Sequence, residues 1–445
     1  MNRSEYLMAL YDALDGIPTQ ERTDAISEYR EYFISEIEKG RTEDEICVSL
    51  GDPITLAYAI KQRRGYGANK QETFYEKPRR THGVFRKVAS AVTVTVILFT
   101  VLGGSLMFNI SKGSGLIFGF GKKYEINDIR ETDLDSANTI IVRTTSANTS
   151  ILPSDNRKIE TSLVGNVRST SPDYVPKLEI TKSGDTIIIE EKRKGFAIIG
   201  FNWENVNLDI SIPKSFKGDI RYEGTSGDFD SSDLDIDNFI FRLSSGNARL
   251  DNITLKNDLD FTSTSGDITI DRLKARNFTL QSSSGNKKLS DISVKDKFNI
   301  NSTSGDTELK GINSDELRID STSGVINIDG IKLELLSVES KSGNVNVDDF
   351  EGSAQIEVTS GNIKLSVDEA KKEIYLKASS GNVELEMPSN TGFTLDSKFS
   401  SGNIKCDFDL DDKDSGDHKL RGRYRGGNIP VNINTTSGNI EIEKR

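Results

Sequence analysis

The sequence is poor in side chains that carry chemistry. Its 445 residues hold two histidines, two cysteines, one tryptophan and four methionines. No Gly-rich phosphate loop, zinc-spaced Cys/His set or nucleophile elbow occurs, which removes the usual signatures of nucleotide, zinc and hydrolase chemistry. Catalysis in a β-groove would need a clustered acidic or basic set, and the sequence shows none. No enzymatic activity, cofactor or metal is therefore expected. The formal charge is −12, and residues 88–445 carry 54 acidic against 43 basic residues. An acidic exterior disfavours nucleic acid as a partner.

What the chain does have is a repeat. A Ser-Gly-[Asp/Asn] signature, with Val in the third place once, returns with its glycines at Gly227, Gly246, Gly266, Gly285, Gly305, Gly324, Gly343, Gly361, Gly381 and Gly402, at steps of 18 to 21 residues. Fixed-period self-similarity of this kind means a stacked array. Before each signature lie alternating apolar positions, such as Leu259 and Phe261 or Phe298 and Ile300, then a small residue (Ser263, Ser302), then the signature serine. Period-two alternation points all four to one side. After the turn alternation resumes, as at Ile268 and Ile270, and a further apolar residue recurs seven positions past the glycine (Ile253, Leu273, Ile292, Ile312).

One such coil cannot hide its inward face alone. Coils stacked at about 4.8 Å bury all of them together. The glycine suits a corner that needs positive φ, with Asn or Asp beside it tolerating the same region. Residues 226–445 are thus expected to form a single-stranded parallel β-solenoid, right-handed by the usual sense of parallel crossovers.

Residues 1–64 read as a small α-helical bundle. A helix reaches Leu14, a second runs from about Gln20 to Lys39 with Ile26, Tyr29, Phe33 and Ile37 on one stripe, and a third stops at Gly51. Asp52-Pro53 then supplies an N-cap and a first-turn proline for a fourth helix. The run Leu50-Gly51-Asp52-Pro53 with Leu56, Ala57 and Ile60, together with Tyr6-Leu7 and Leu14 to Pro18, resembles the HAAS domain, the helix-turn-helix-associated α-helical signalling domain. The resemblance implies a cytoplasmic interaction module whose partner is a PadR-type transcriptional regulator. The same residues are also explained as caps and core.

Residues 65–87 are a basic linker, and 88–108 are 21 residues without a charge, enough for one transmembrane helix. Arg79, Arg80, Arg86 and Lys87 precede that run, which puts the N-terminus in the cytoplasm and the C-terminal domain outside the cell membrane. The lipid bilayer is then one partner, and an extracytoplasmic envelope protein or glycan another. Residues 109–225 read as an irregular β cap with degenerate coils at Asn148 and Ser183-Gly184-Asp185, the apolar stretch Phe196 to Trp203 covering the open edge. Leu208 to Pro213, the Ser-Gly-Asp/Asn coils and the closing Thr435 to Ile440 resemble an adhesin-like β-repeat domain of bacterial envelope proteins, a family of unknown function. The resemblance implies the fold, and adhesion by label alone.

Four features stand out from the repeat. Asp228, Asp267 and Asp306 recur on every second coil; calcium would need six or more oxygens, and a turn role suffices. Lys287 occupies an inward column and is expected to snorkel out or to mark an irregular coil. Cys406 falls in an inward column and reads as a buried, inert thiol. Asp409 to Gly427 breaks the period and reads as a polar loop before a final strand. The function expected is an envelope-sensing or regulatory protein that couples an outer solenoid to an inner helical module; the alternative is a surface-exposed, adhesin-like binding or scaffold protein with a cytoplasmic tether.

Overall fold

The computed structural model describes residues 3–18, 22, 25, 26, 29, 30, 33, 43, 46, 56, 57, 60, 61, 122–169, 172–193 and 203–445. The chain divides into two compact units, 1–120 with 197–201, and 121–196 with 202–445. In the first, helix α1 (Arg3–Ala13) is followed by Leu14, whose N–H donates to the Leu10 carbonyl at 3.0 Å. The described residues from 22 to 61 are all helical. Tyr6, Leu10, Leu14, Phe33 and Ile46 are fully buried in one apolar cluster with Ile26 and Tyr29 against it, so the described part of the expected stripe faces a core. Among the described residues no helix is long and apolar enough to cross a membrane. The expected span at 88–108, the linker at 65–87, and Leu50, Gly51, Asp52 and Pro53 lie outside the described residues, as do Cys47, His82 and residues 194–202.

The second unit is a stack of β-coils. Its first strands are β1 (Lys122–Asp133), β2 (Thr139–Thr144), β3 (Asn148–Ser154), β4 (Lys158–Ser169), β5 (Lys177–Ser183), β6 (Thr186–Lys192), β7 (Trp203–Pro213) and β8 (Asp219–Gly224). One side of the stack runs β6, β2, β8, Phe239–Leu243, Asp258–Ser263 and onward in parallel register. After the glycine corner a second side runs β7, β3, Phe229–Ser232, Ala248–Leu255 and onward. From Ile268–Ser282 each coil contributes one long strand, through Lys287–Ser302, Thr307–Ser323, Ile326–Ser342, Val345–Ser360 and Ile363–Ser380.

The inward columns are those read from the pattern: Leu259, Phe261, Phe298, Ile300, Ile268, Ile270, Leu273 and Ile312 are all buried. Register puts like residues over like, so Phe241 and Phe261 stack with ring centroids 4.2 Å apart, and Phe278 on Phe298 at 4.8 Å. Ser263, Ser302 and their equivalents are buried as expected. The signature serine is not: Thr264 and Ser265 both face outward. The strand ends at the small buried serine, and the bend that follows breaks the alternation that extrapolation had carried through it.

Each corner glycine has positive φ and something further. A Cβ on Gly305 (φ +90°) would lie 2.2 Å from the Gly285 carbonyl oxygen, and every stacked signature glycine from Gly246 on meets its lower neighbour's carbonyl in the same way. A second left-handed corner sits six residues on, at Asp233, Asn252, Arg272, Asp291, Gly311, Gly330 and Asp349. It makes the short third side, and it ends one residue before the apolar column that the sequence revealed.

Asn and Asp next to the glycine form a ladder. The Asp228 N–H donates to Asn148 Oδ1, Asn247 to Asp228, Asp267 to Asn247, Asn286 to Asp267 and Asp306 to Asn286, all at 2.8–3.1 Å. It resumes from Asn344 through Asn362 and Asn382 to Asn439 and Asn403. Val325 has no acceptor to offer the Asn344 N–H above it, so one rung is missing.

Both ends depart from sequence order in the same manner. The first coil, β2 and β3, lies between the coil of β6 and β7 on one side and that of β8 and Phe229–Ser232 on the other, so the second coil by sequence is outermost. At the far end Ile429–Ser437 and Ile440–Lys444 slot between the coil of residues 374–387 and that of 393–406. The glycine column accordingly runs Gly361, Gly381, Gly438, Gly402.

Antiparallel strands cover both outer edges. β5 pairs β6, and β4 pairs both β7 and β1. Asp411–Gly416 pairs Lys419–Tyr424, which pairs Phe393–Ser401. Two expectations are thereby corrected. Ser183-Gly184-Asp185 is the hairpin turn between β5 and β6, not a coil corner, and Asp409 to Gly427 holds a hairpin rather than a loop. In each case a local turn signal was read without knowing whether the next strand returned parallel or antiparallel.

Glu191 completes the lower end. Its carboxylate accepts the N–H groups of Thr145, Ser146 and Ala147 at 2.9–3.0 Å, where an inner coil would use a lower neighbour's carbonyls. Burial would push this carboxyl up, but the Ser146 and Ala147 amides and the Arg193 guanidinium outweigh it and hold it below the usual carboxylate range.

Three substitutions test this account by denaturant unfolding. Gly305→Ala is expected to lower stability by at least ~3 kcal/mol, because left-handed strain of about 1–2 kcal/mol adds to the carbonyl clash. Gly330→Ala (φ +63°, with nothing within 4 Å) carries only the strain; equal losses at both sites would exclude the clash. Val325→Asn supplies the missing rung and is expected to raise stability by about 1 kcal/mol; an unchanged midpoint would mean the ladder contributes nothing.

Candidate functional site

The signature glycines, expected as solenoid turns, form one continuous corner and touch each other rather than a ligand. Ala57 is buried, with Leu56 and Ile60 partly buried against the helical core, so their place is structural. Asp228, Asp267 and Asp306 are rungs of the Asn/Asp ladder. Asn separates them on alternate coils, which keeps like charges two layers apart.

Lys287 neither snorkels nor disrupts its coil. It is 1 % exposed, in register between Ile268 and Thr307. Its ammonium donates to Ser302 Oγ at 2.6 Å and to the carbonyls of Gly285, Ser304 and Gly305 at 2.9, 3.0 and 3.2 Å. Corner carbonyls within reach of the stem make staying inside cheaper than crossing the sheet. Burial lowers its pKa to about 8, against the pull of Asp306 and Asp267. Cys406 is half-buried rather than fully buried, and burial pushes its thiol up, which keeps the unreactive protonated form.

Glu384, Glu386 and Glu443 bring three carboxylate oxygens within 4.8 Å of one another. Lys364 bridges Glu384 and Glu386 at 2.7 and 3.3 Å, and Lys405 holds Glu443 at 3.2 Å. The bond to Glu384, ahead of that to Glu386, raises the Lys364 pKa. Each of the three carboxylates is therefore paired with a lysine, two lysines serving all three.

A concave surface lies along the first side of the stack, beside the corner. It encloses about 790 Å³ and crosses seven successive coils. Strand register builds it from columns. Thr262, Gln281, Asn301, Asp320, Glu339 and Glu357 occupy one outward position, and Lys377 follows. Thr264, Ser283, Thr303, Thr322, Lys341 and Thr359 occupy the next outward position. Asp320 pairs with Arg318 at 2.9 Å and Glu357 with Lys377 at 2.9 Å, so the acidic middle is largely compensated.

A second concavity, about 590 Å³, shares Lys377 and continues the columns through Asn434 and Lys398. The hairpin residues Gly416 to Lys419 wall it off. The His418 ring meets Phe399 edge-on at 5.4 Å, and the His418 carbonyl accepts the Phe399 N–H at 3.1 Å. Sequence reading missed this groove. Its polar outward residues were visible, but any solvated strand shows them, and the neighbours of Lys377 depend on the swapped coil order.

Fold and groove define a parallel β-stack protein with a polar lateral face. The chain belongs to the Toastrack DUF4097 family, whose profile matches residues 137–297 and 291–443. Residues 5–59 match the HAAS family. Comparison with curated proteins gives no match. Similar solved structures include a candidate cell adhesion protein from Clostridium sporogenes, 9 % identical, covering 72 % of this chain and 100 % of that one, with a TM-score of 0.18. Another is a candidate adhesin from Bacteroides fragilis, 12 % identical, covering 71 % and 97 %, with a TM-score of 0.28. The fold assignment rests on this chain's own ladders and on the family match.

Lys287 yields a pH test. Its folded pKa, about 8, lies below the ordinary 10.5. Between those values the unfolded chain binds more protons, so stability rises with pH there, and below pH 8 the full cost of the buried charge applies. Relative to Lys287→Met, the wild type is expected to gain on the order of 3 kcal/mol from pH 8 to 10.5. Parallel stability curves for the two proteins would refute a buried ammonium.

Proposed function

We propose that the chain is a non-enzymatic, single-pass membrane protein that couples an extracytoplasmic β-stack to a cytoplasmic helical interaction module in envelope sensing or regulation. One observation carries the reading. The HAAS match at 5–59 and the Toastrack match at 137–443 lie on opposite sides of the uncharged run 88–108, which has a basic flank on the HAAS side. A PadR-type regulator is the partner that the HAAS relationship favours on the inner side. The lateral groove favours a second reading, a surface binding protein for which the inner module is only a tether. Deleting residues 1–64 while keeping the run 88–108 separates the two, since a tether is dispensable and a signalling module is not.

The topology is tested with tags at both ends and an impermeant protease on intact cells. Loss of the C-terminal tag with survival of the N-terminal one is expected. Protection of both, or loss of the N-terminal tag alone, would overturn the arrangement.

A further inference from the structure

We propose that the lateral groove binds a linear, hydroxyl-rich glycan whose negatively charged end seats at the wall formed by Phe399 and His418. The inference rests on reading the stack as a binding face and adds the ligand class.

Three features of the groove select this ligand. First, its walls repeat. Side-chain hydroxyls or amides recur at about 4.8 Å on eight of nine strands, the coil of Glu339 and Lys341 being the exception, on the order of 40 Å in all. A ligand that hydrogen-bonds at each layer must itself be extended and repetitive. Second, the floor strands are paired on both sides, as Asn301 is with Gln281 and Asp320. The floor therefore has no free ladder edge, and a peptide could not add itself as a strand. Hydroxyl and amide side chains are what remain to bond, and they match a polyol. Third, Asp320, Glu339 and Glu357 line the middle. Arg318 holds Asp320 and Glu339, and Lys377 holds Glu357, so the middle offers a polyanion no surplus of positive charge and suits a chain that is neutral where it crosses.

The walled end has the opposite character. Lys377, Lys398 and Lys419 line it with one carboxylate, Asp417, in a protein whose net charge is −12. Lys377 and Lys419 are engaged by Glu357 and Asp414. Lys398 is the freer cation: it is 54 % exposed, and its nearest carboxylate, Asp396, is 3.6 Å away. Phe399, half-buried in the same wall, offers the groove's aromatic face, and the exposed Thr436 lies beside it. An aromatic face, hydroxyls and a loosely held lysine suit a sugar ring bearing a carboxylate. The hairpin stops the groove there, so the charged unit is the chain's end.

The site exists because the coils are out of order. Asn434, Thr435 and Thr436 come between Lys377 to Ser379 and Lys398 to Ser400 only because the last coil is slotted inward.

The test titrates the full chain in detergent with cellohexaose and chitohexaose, and with each oligosaccharide oxidised to a carboxylate at one end, followed by calorimetry. The oxidised forms are expected to bind about fivefold more tightly, the scale of one exposed ion pair. Lys398→Ala is expected to abolish that preference, so that oxidised and neutral forms bind it alike. Thr303→Val with Thr322→Val is expected to weaken both forms with no change in the unfolding midpoint. Absence of binding by all four sugars at millimolar concentration, a preference that survives Lys398→Ala, or equal binding of an acidic decapeptide would each overturn the proposal. Protease topology on cells is independent of these titrations, so either reading fails separately from the other.

Discussion

The structure depends on how closely one coil's backbone can approach the next at the corner. A carbonyl oxygen of each signature glycine lies where the Cβ of the glycine above would be. With that contact the parallel ladders on both sides share one rise and one register. Without it the corner opens, the Asn/Asp rungs lengthen, and the inward columns lose alignment. The hydrophobic term is large but non-directional. Register comes from the polar, crowded corner that has little area to bury.

Stacking also explains the surface charge. In a parallel array every residue sits over its counterpart, so a repeat of perfect fidelity would pile like charges on like. The sequence avoids this at many positions, although Asp320, Glu339 and Glu357 do stack and are held by Arg318 and Lys377. Asp and Asn take turns along the lower ladder, and cations face carboxylates one layer away, as in Lys332 with Glu351 at 2.6 Å and Lys364 with Glu384 at 2.7 Å. Each exposed pair is worth little alone, but the alternative in this geometry is repulsion at the same distance. Lys287 is the exception taken inside, tolerated because corner carbonyls surround its ammonium.

The ends solve a different problem. A regular stack presents unpaired strand edges, which invite association. Here each terminal coil is overlaid by its sequence neighbour and then by antiparallel strands, and Glu191 on the outermost coil supplies acceptors for the corner amides of Thr145, Ser146 and Ala147. At the far end the same arrangement turns an open lateral groove into one with a wall, basic where the remainder is neutral or acidic. End protection and a graded lateral groove are thus one construction.

Much of this was written locally in the chain. The glycine spacing, the alternating apolar positions and the column seven residues past the glycine specify a parallel stack, because each is a requirement on a residue's own backbone or its own face. The turn beside Gly184, the hairpin within 409–427 and the second corner at Arg272 were not legible, since one turn signal serves parallel and antiparallel returns alike and a left-handed Arg has no signature. Nor was the groove. Lys377, Thr435 and Lys398 become neighbours through the inward slotting of the last coil, a choice decided by which edges remain to be covered once everything else has packed. Periodic features are fixed by sequence because every layer restates them; the aperiodic ends are fixed by tertiary structure because only the finished stack has ends.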